Sequence, residues 1–360
     1  MTRDSLYDVC IVGSGAGGGM AAYMLTRAGA KVAMLEAGPM WDNTRDAAML
    51  TWPYESPRRG ASTPQRNFGE FDAALGGWSL EGEPYTTAPG SNFMWFRSRM
   101  LGGRTNHWGR ISLRFGPDDF RRKSIDGLGD DWPISYDDLK PWYDEVDRLI
   151  GIFGSVEGLS NHPDGIFLPP PAPRCWELYA KRASDKLRIP CIASRLSILT
   201  RQHNDRAACH YCGQCYRGCR TNSNFTSPNV LVLPALATGK LTLLTDSMAR
   251  EVTLDRNGRA ESVLYIDKKT GAEQRIRARV IVLAASACES ARILLNSKSP
   301  RHPQGLANAS GVVGKYLTDT TGTDVAGFVP ALVDQPRHNC DGVGGAHLYM
   351  PLYGDRKSVV

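Results

Sequence analysis

The chain has 360 residues, 42% of them hydrophobic and 22% charged, and a net charge of +6. This composition fits a globular protein of two domains or one large one, and no apolar run is long enough to cross a bilayer. The basic residues are scattered, with no stripe of interleaved aromatics, so no nucleic-acid partner is expected.

The first element comes almost at once. "YDVCIVGSGAGGGMAAYMLTRAGAKVAMLEAGP" reads as strand, glycine turn, helix and strand. Val9–Val12 is the apolar run of a buried parallel strand. Gly13, Gly15 and Gly18 then stand in G-x-G-x-x-G spacing. The first allows a tight turn, the second lets backbone approach a pyrophosphate, and the third lets helix pack close to strand. A helix through Ala21–Ala28 would turn its N-terminus toward the phosphates. The second strand ends on Glu36, placed to accept hydrogen bonds from a ribose. A lone glycine fingerprint is weak, but strand, helix, second strand and terminal acid together predict a dinucleotide site. The motif does not itself separate FAD from NAD. No secretory signal precedes the first strand, so the expected location is the cytoplasm.

Further along, "FMWFRSRMLGGRTNHWGRISLRFG" sets Gly102 and Gly103 behind an arginine-flanked apolar pair and ahead of Thr105, Asn106, His107 and Trp108. "DDWPISYDDLKPWYDEVDRLIGI" opens a helix, "ARVIVLAASACESARILLNS" is a late strand and helix, and "GVVGKYLTDTTG" follows. Together with the N-terminal unit, these stretches resemble the glucose–methanol–choline (GMC) family of FAD oxidoreductases. They are closest to its sugar-oxidising branch of pyranose oxidases and bacterial sugar dehydrogenases. The resemblance runs from residue 7 to about residue 350. Arg104 in place of the usual small residue, and "AASACES" without the family's Gly-Ser-Pro, depart from the pattern.

The resemblance implies an α/β fold: a Rossmann-like FAD-binding domain with a second, α+β substrate domain that is incomplete here. The expected division assigns 1–45 and 205–320 to FAD binding and 46–204 to a flavin-contacting segment and part of the substrate domain. Residues 321–354 would begin the substrate sheet. "LPPPAPR" reads as a stiff connector. Flavin would lie along Gly102, Gly103, Thr105, Asn106 and His107, with Asp319 beside it. His107 stands where covalently flavinylated members attach their cofactor, and both a covalent bond and unbonded packing under the ring stay open. Asn106, Trp108 and Arg110 are expected to shape the flavin site. Arg97, Arg99 and Arg104 could pair with pyrophosphate or be solvated, and the solvated reading is preferred. His162, His203, His302, His338 and His347 are read as structural.

The implied reaction is oxidation of a ring hydroxyl of a sugar or glycoside by hydride transfer to flavin. The rival readings are an oxygen-using, pyranose oxidase-like enzyme with structural cysteines, and a non-catalytic flavin- or metal-binding module. In the family the base is a histidine paired with a second His or Asn, expected here beyond residue 360. The chain is therefore expected to be truncated and inactive alone. Its ending, "DRKSVV", reads as the translation of a sequencing adapter, so Asp355–Val360 are expected to be a non-native tail.

Four of the nine cysteines fall in "CHYCGQCYRGC". Cys209, Cys212, Cys215 and Cys219 form C-x2-C-x2-C-x3-C, a spacing like the bacterial ferredoxin loop with Arg220 in place of its trailing proline. Short spacers let thiolates converge, and Gly213 and Gly218 permit the positive dihedrals of such a wrap. Zinc sites normally split their ligands into two distant pairs and fit less well. Free thiols are the third reading. An iron–sulfur cluster is preferred, because some sugar dehydrogenases of the family carry one and a flavin gains from a one-electron carrier. That implies a protein acceptor such as a cytochrome. It also implies a small subunit bearing an export signal, with which the chain would reach the periplasm.

Overall fold

The computed structural model describes residues 6–64, 66–91, 93–318, 326–336 and 341–351. Its main elements are β1 (Tyr7–Val12), α1 (Ala16–Arg27), β2 (Val32–Leu35), α2 (Tyr136–Ile150), α3 (Cys175–Leu187), β3 (Leu241–Leu244), β4 (Ser247–Leu254), β5 (Ala260–Asp267), β6 (Glu273–Leu283) and α4 (Ala287–Asn296). They divide between two compact units, Met1–His107 with Thr226–Asp324, and Trp108–Phe225 with Val325–Val360.

The first unit is built on a six-stranded sheet in the order β3-β2-β1-β6-β5-β4. Strands β3, β2, β1 and β6 run parallel, while β5 is antiparallel to both of its neighbours, β6 and β4. Strand β1 lies at the centre, and Cys10 pairs with Ala33 on one side and Ile281 on the other. Both faces of β1 are covered, so its side chains alternate between two cores. Val9 and Ile11 pack with Ala22, Met34 and Val232, whereas Cys10 and Val12 pack with Leu35, Val263 and Ile293. Burying each such side chain contributes roughly 1.5–3 kcal/mol.

Helix α1 starts at Ala16, five residues before the expected Ala21. Its glycines are poor helix formers, but packing overrides propensity. A Cβ on Gly18 would strike the Gly13 carbonyl, and one on Gly19 would strike Ser227. Gly13 holds φ +95°, and a Cβ there would strike the Ala284 carbonyl, so the turn out of β1 requires glycine.

The second unit is assembled from α2, α3 and short pairings. Ser135 caps α2, accepting the Asp138 amide at 3.3 Å while its own amide donates to the Asp138 carboxylate at 2.8 Å. Ile152–Phe153 pairs in parallel with Phe167–Leu168, and Ile192–Ala193 pairs antiparallel with Leu348–Tyr349. Phe153, Leu168, Leu196, Ile198, Leu199 and Val343 form its apolar core together with Cys215.

The division differs from the expected one in two places. Residues 46–107 group with the nucleotide sheet, because Met100 and Leu101 pack in its core and the Arg99–Met100 backbone runs against Gly38, and the cysteine loop groups with the second unit. Asp319, His338 and the segment Asp355–Val360 lie outside the described residues.

Candidate functional site: a nucleotide cavity and a cysteine loop

At the carboxyl ends of β1 and β2, where the parallel strands open, the first unit encloses a cavity of about 730 Å³. Its wall includes Gly13, Ser14, Gly15, Glu36, Gly103 and Thr105. A Cβ on Gly15 would meet nothing within 4 Å, so the backbone there faces open space. Gly15 is also the N-cap of α1, with no side-chain cap and no acidic residue in the first turn. The helix start is thus left with unpaired amide donors and a positive dipole end, the arrangement that receives a phosphate.

Glu36 is buried at the tip of β2. One carboxylate oxygen accepts the Gly38 amide at 2.8 Å; the other accepts the Ser14 amide at 3.2 Å and the Ser14 hydroxyl. Burial pushes its pKa up, and the Ser14 hydroxyl and the two amides pull against that. The Ser14 oxygen in turn accepts the Gly102 amide at 2.8 Å. The fingerprint turn, the ribose-side acid and the Gly-Gly segment are therefore tied at one point.

Beyond Gly102, which holds φ +83° against Pro228, the chain makes one tight turn. The Thr105 hydroxyl donates to the Gly102 carbonyl at 2.7 Å and accepts the Ser227 amide at 3.0 Å. Asn106 is fully buried and donates to the Leu101 carbonyl at 2.8 Å. The His107 ring stands edge-on to Phe96, 5.6 Å between centroids. Gly13, Gly15, Glu36, Gly103 and Thr105 meet around the cavity. Gly18, Gly102 and Asn106 brace its walls, and His107 is not part of its lining.

Two of the arginines read as solvated are not. Arg97 is 4% exposed and donates to the Trp78 carbonyl at 3.1 Å. Arg99 pairs with Glu83 at 2.7 Å and with Glu289 on α4, and both arginines line the cavity. Glu83 also holds Lys268 at 2.8 Å, and these cations keep its carboxyl below the usual range. The acids lie far from the arginines in sequence, so no local signal revealed them. Arg104 is exposed, although it too lines the cavity and donates to the Phe96 carbonyl.

In the second unit, Cys215 and Cys219 are buried, and Cys209 and Cys212 partly so. Gly213 and Gly218 both take positive φ, as the wrap requires. The Cys209 sulfur accepts the Tyr211 amide at 3.3 Å, and the Cys219 sulfur lies 3.3 Å from the Thr221 hydroxyl. Burial pushes the Cys209 thiol up to about 12, with the three other thiols adding to the effect. The thiols are thus neighbours. Among the described residues, however, no three ligand groups come within reach of one ion. One feature does suit an anionic centre. The half-buried Arg206 guanidinium donates to the Ile150 carbonyl through one nitrogen, and its Nη1 has no partner among the described residues, with the Cys219 thiol acting on it.

The family model for GMC oxidoreductases matches residues 16–321. The chain belongs to the GMC oxidoreductase family. This GMC chain is 31% identical over 350 residues to 6'''-hydroxyparomomycin C oxidase of Streptomyces lividus, covering 94% of itself and 59% of that protein. It is 34% identical to 2-methyl-1,2-propanediol dehydrogenase of Mycolicibacterium austroafricanum, covering 86% and 54%. To the fructose dehydrogenase large subunit of Gluconobacter japonicus it is 27% identical, covering 88% and 58%. The chain spans somewhat over half the length of these relatives. GMC enzymes are FAD oxidoreductases acting on CH–OH groups, and the cavity suits that cofactor. The open space at Gly15 with the uncapped start of α1 would receive the pyrophosphate, and Glu36 would receive a ribose. No helix among the described residues is long and apolar enough to cross a membrane.

Proposed function

We propose that this GMC oxidoreductase chain is the FAD-holding part of a dehydrogenase that oxidises a ring hydroxyl of a sugar or glycoside. The observation that carries the reading is the cavity where Gly13, Gly15 and Glu36 meet the Gly102–Thr105 turn. Bound FAD would supply the hydride acceptor. The chain's own residues hold its phosphates and ribose and fix its position against a substrate. We place the catalytic base outside this cavity, whose described lining contains no histidine. His107 is the candidate for a covalent link to the flavin, and Asp319 a further cofactor contact.

The finer proposal is an electron relay: Cys209, Cys212, Cys215 and Cys219 ligate an iron–sulfur cluster that passes electrons to a protein such as a cytochrome. The spacing, the grouped thiols and the Nη1 of Arg206, partnerless among the described residues, support it. A companion subunit is part of this reading, since one relative is by name the large subunit of fructose dehydrogenase. The second reading is an oxygen-using oxidase with structural cysteines, favoured by thiols that do not converge on one ion.

The absorption spectrum and metal content of anaerobically purified protein separate the two. Flavin bands with broad cluster absorbance and iron support the relay; flavin bands without iron support the oxidase reading. Protein that binds no FAD at all would overturn both.

A further inference from the structure

A backbone strap lies across the cysteine loop. Gly342 pairs with Cys212, and its amide donates to the Tyr211 carbonyl at 3.2 Å. Two residues on, the backbone of Gly344 runs against Cys215. A Cβ there would sit 2.7 Å from the Cys215 Cβ and 3.0 Å from its sulfur. A side chain at 344 would therefore have to lift the strap or move the thiol.

The strap is clamped from the other side by the start of α3. Arg174 donates through Nη2 to the Val343 carbonyl at 2.6 Å and through Nη1 to the Gly345 carbonyl at 2.7 Å. This is a forked grip that one ammonium group could not reproduce. Glu177 is 2% exposed and works in two directions. One oxygen accepts the Arg174 amide at 2.7 Å and caps the helix; the other accepts the His347 amide at 2.7 Å. The His347 ring closes the strap on itself, with Nδ1 2.7 Å from the Ala172 carbonyl and Nε2 accepting the Val343 amide at 3.2 Å. Burying a carboxylate and a guanidinium is costly unless both are paired and hydrogen-bonded, as these are.

We propose that the Gly342–His347 strap, clamped by Arg174 and Glu177, is the cover of the cysteine loop. It seals Cys215 from solvent and so shields a redox centre held by the four thiols. The shielding role rests on the electron-relay reading, whereas the cover itself does not. Arg174 is the positioning residue, and Gly344 is the contact through which it acts. Val343 belongs to the same apolar core as Cys215, so a loosened strap would admit water where the site is driest.

Thiol labelling tests this on reduced, metal-stripped 360-residue chain under native conditions, with iodoacetamide and mass spectrometry of each cysteine peptide. Arg174→Ala and Gly344→Ala should each label Cys215 about tenfold faster than the unaltered chain. Cys10, buried in the first unit, should keep its rate. Unchanged labelling of Cys215 in both variants overturns the cover, and so does equal acceleration at Cys10, which reports global unfolding. In anaerobically purified protein, iron should be lost faster in air from the two variants. Iron absent even from the unaltered chain overturns the relay and the shielding role, leaving the labelling result to decide the cover. Iron present but lost at equal rates overturns the shielding alone.

Discussion

The Ser14 hydroxyl donates to the Glu36 carboxylate while its oxygen accepts the Gly102 amide at 2.8 Å. These three residues belong to three separate stretches of sequence, and the serine is what joins them. Ser14→Ala leaves the buried Gly102 amide without its acceptor and removes one donor from Glu36. The cost of such a loss is about 1–3 kcal/mol. The expected outcome is FAD binding weakened on the order of tenfold with the fold retained, read by fluorescence titration. An unchanged Kd would show that the knot does not hold the cofactor wall in place.

What was legible in the sequence was local. The apolar run of β1 and the glycine turn into α1 lie within a few residues of each other, and strand and turn formed as read. What was not legible depends on distance along the chain. Arg99 reads as one more surface arginine until the fold brings Glu83 and Glu289 to it. Arg174 is an unremarked residue after a proline run until residues 343 and 345 return to its fork. The start of α1 is hidden in the sequence because Gly17, Gly18 and Gly19 lower helix propensity, while the close contact of Gly19 with Ser227 is tertiary. The grouping of the cysteine loop depends on distance too: the loop follows the core it packs in.

His107 gives a clean second test. If its imidazole carries the flavin, acid-precipitated holoprotein keeps its yellow fluorescence, and His107→Ala releases it into the supernatant. The substitution also removes the edge-on contact with Phe96, a modest loss of about 0.5–1.5 kcal/mol. Folding and non-covalent FAD binding should therefore survive. Free FAD in the supernatant of the unaltered protein ends the covalent reading.

The cysteine loop and the nucleotide cavity belong to different units, so their losses should be separable. Cys212→Ser or Cys215→Ser should abolish iron and leave the flavin spectrum in place. In the assembled enzyme, transfer to a cytochrome should slow more than transfer to a small dye. Stoichiometric zinc with no iron, after anaerobic handling, sinks the relay and assigns the loop a structural role.

The last prediction concerns acid stability. His162 is half-buried, in contact with the Tyr349 hydroxyl, and its backbone carbonyl accepts from Arg195 at 3.2 Å. Burial first, and then the Arg195 charge, push its pKa from 6.5 down to about 4. The same direction holds for His347, where burial leads and Arg174 adds to it. Both imidazoles are therefore neutral in the folded chain at a pH where the unfolded chain has begun to protonate them. Between 6.5 and about 4 the unfolded state binds more protons, so stability rises with pH across that window. The contribution is complete above 6.5 and is lost as pH falls toward 4. Urea midpoints measured from neutral pH downward should fall through this range in the unaltered chain. They should fall less steeply in His162→Gln, which has no proton to gain. Equal slopes in the two proteins would show that His162 is solvated in solution and that its contact with Tyr349 does not hold.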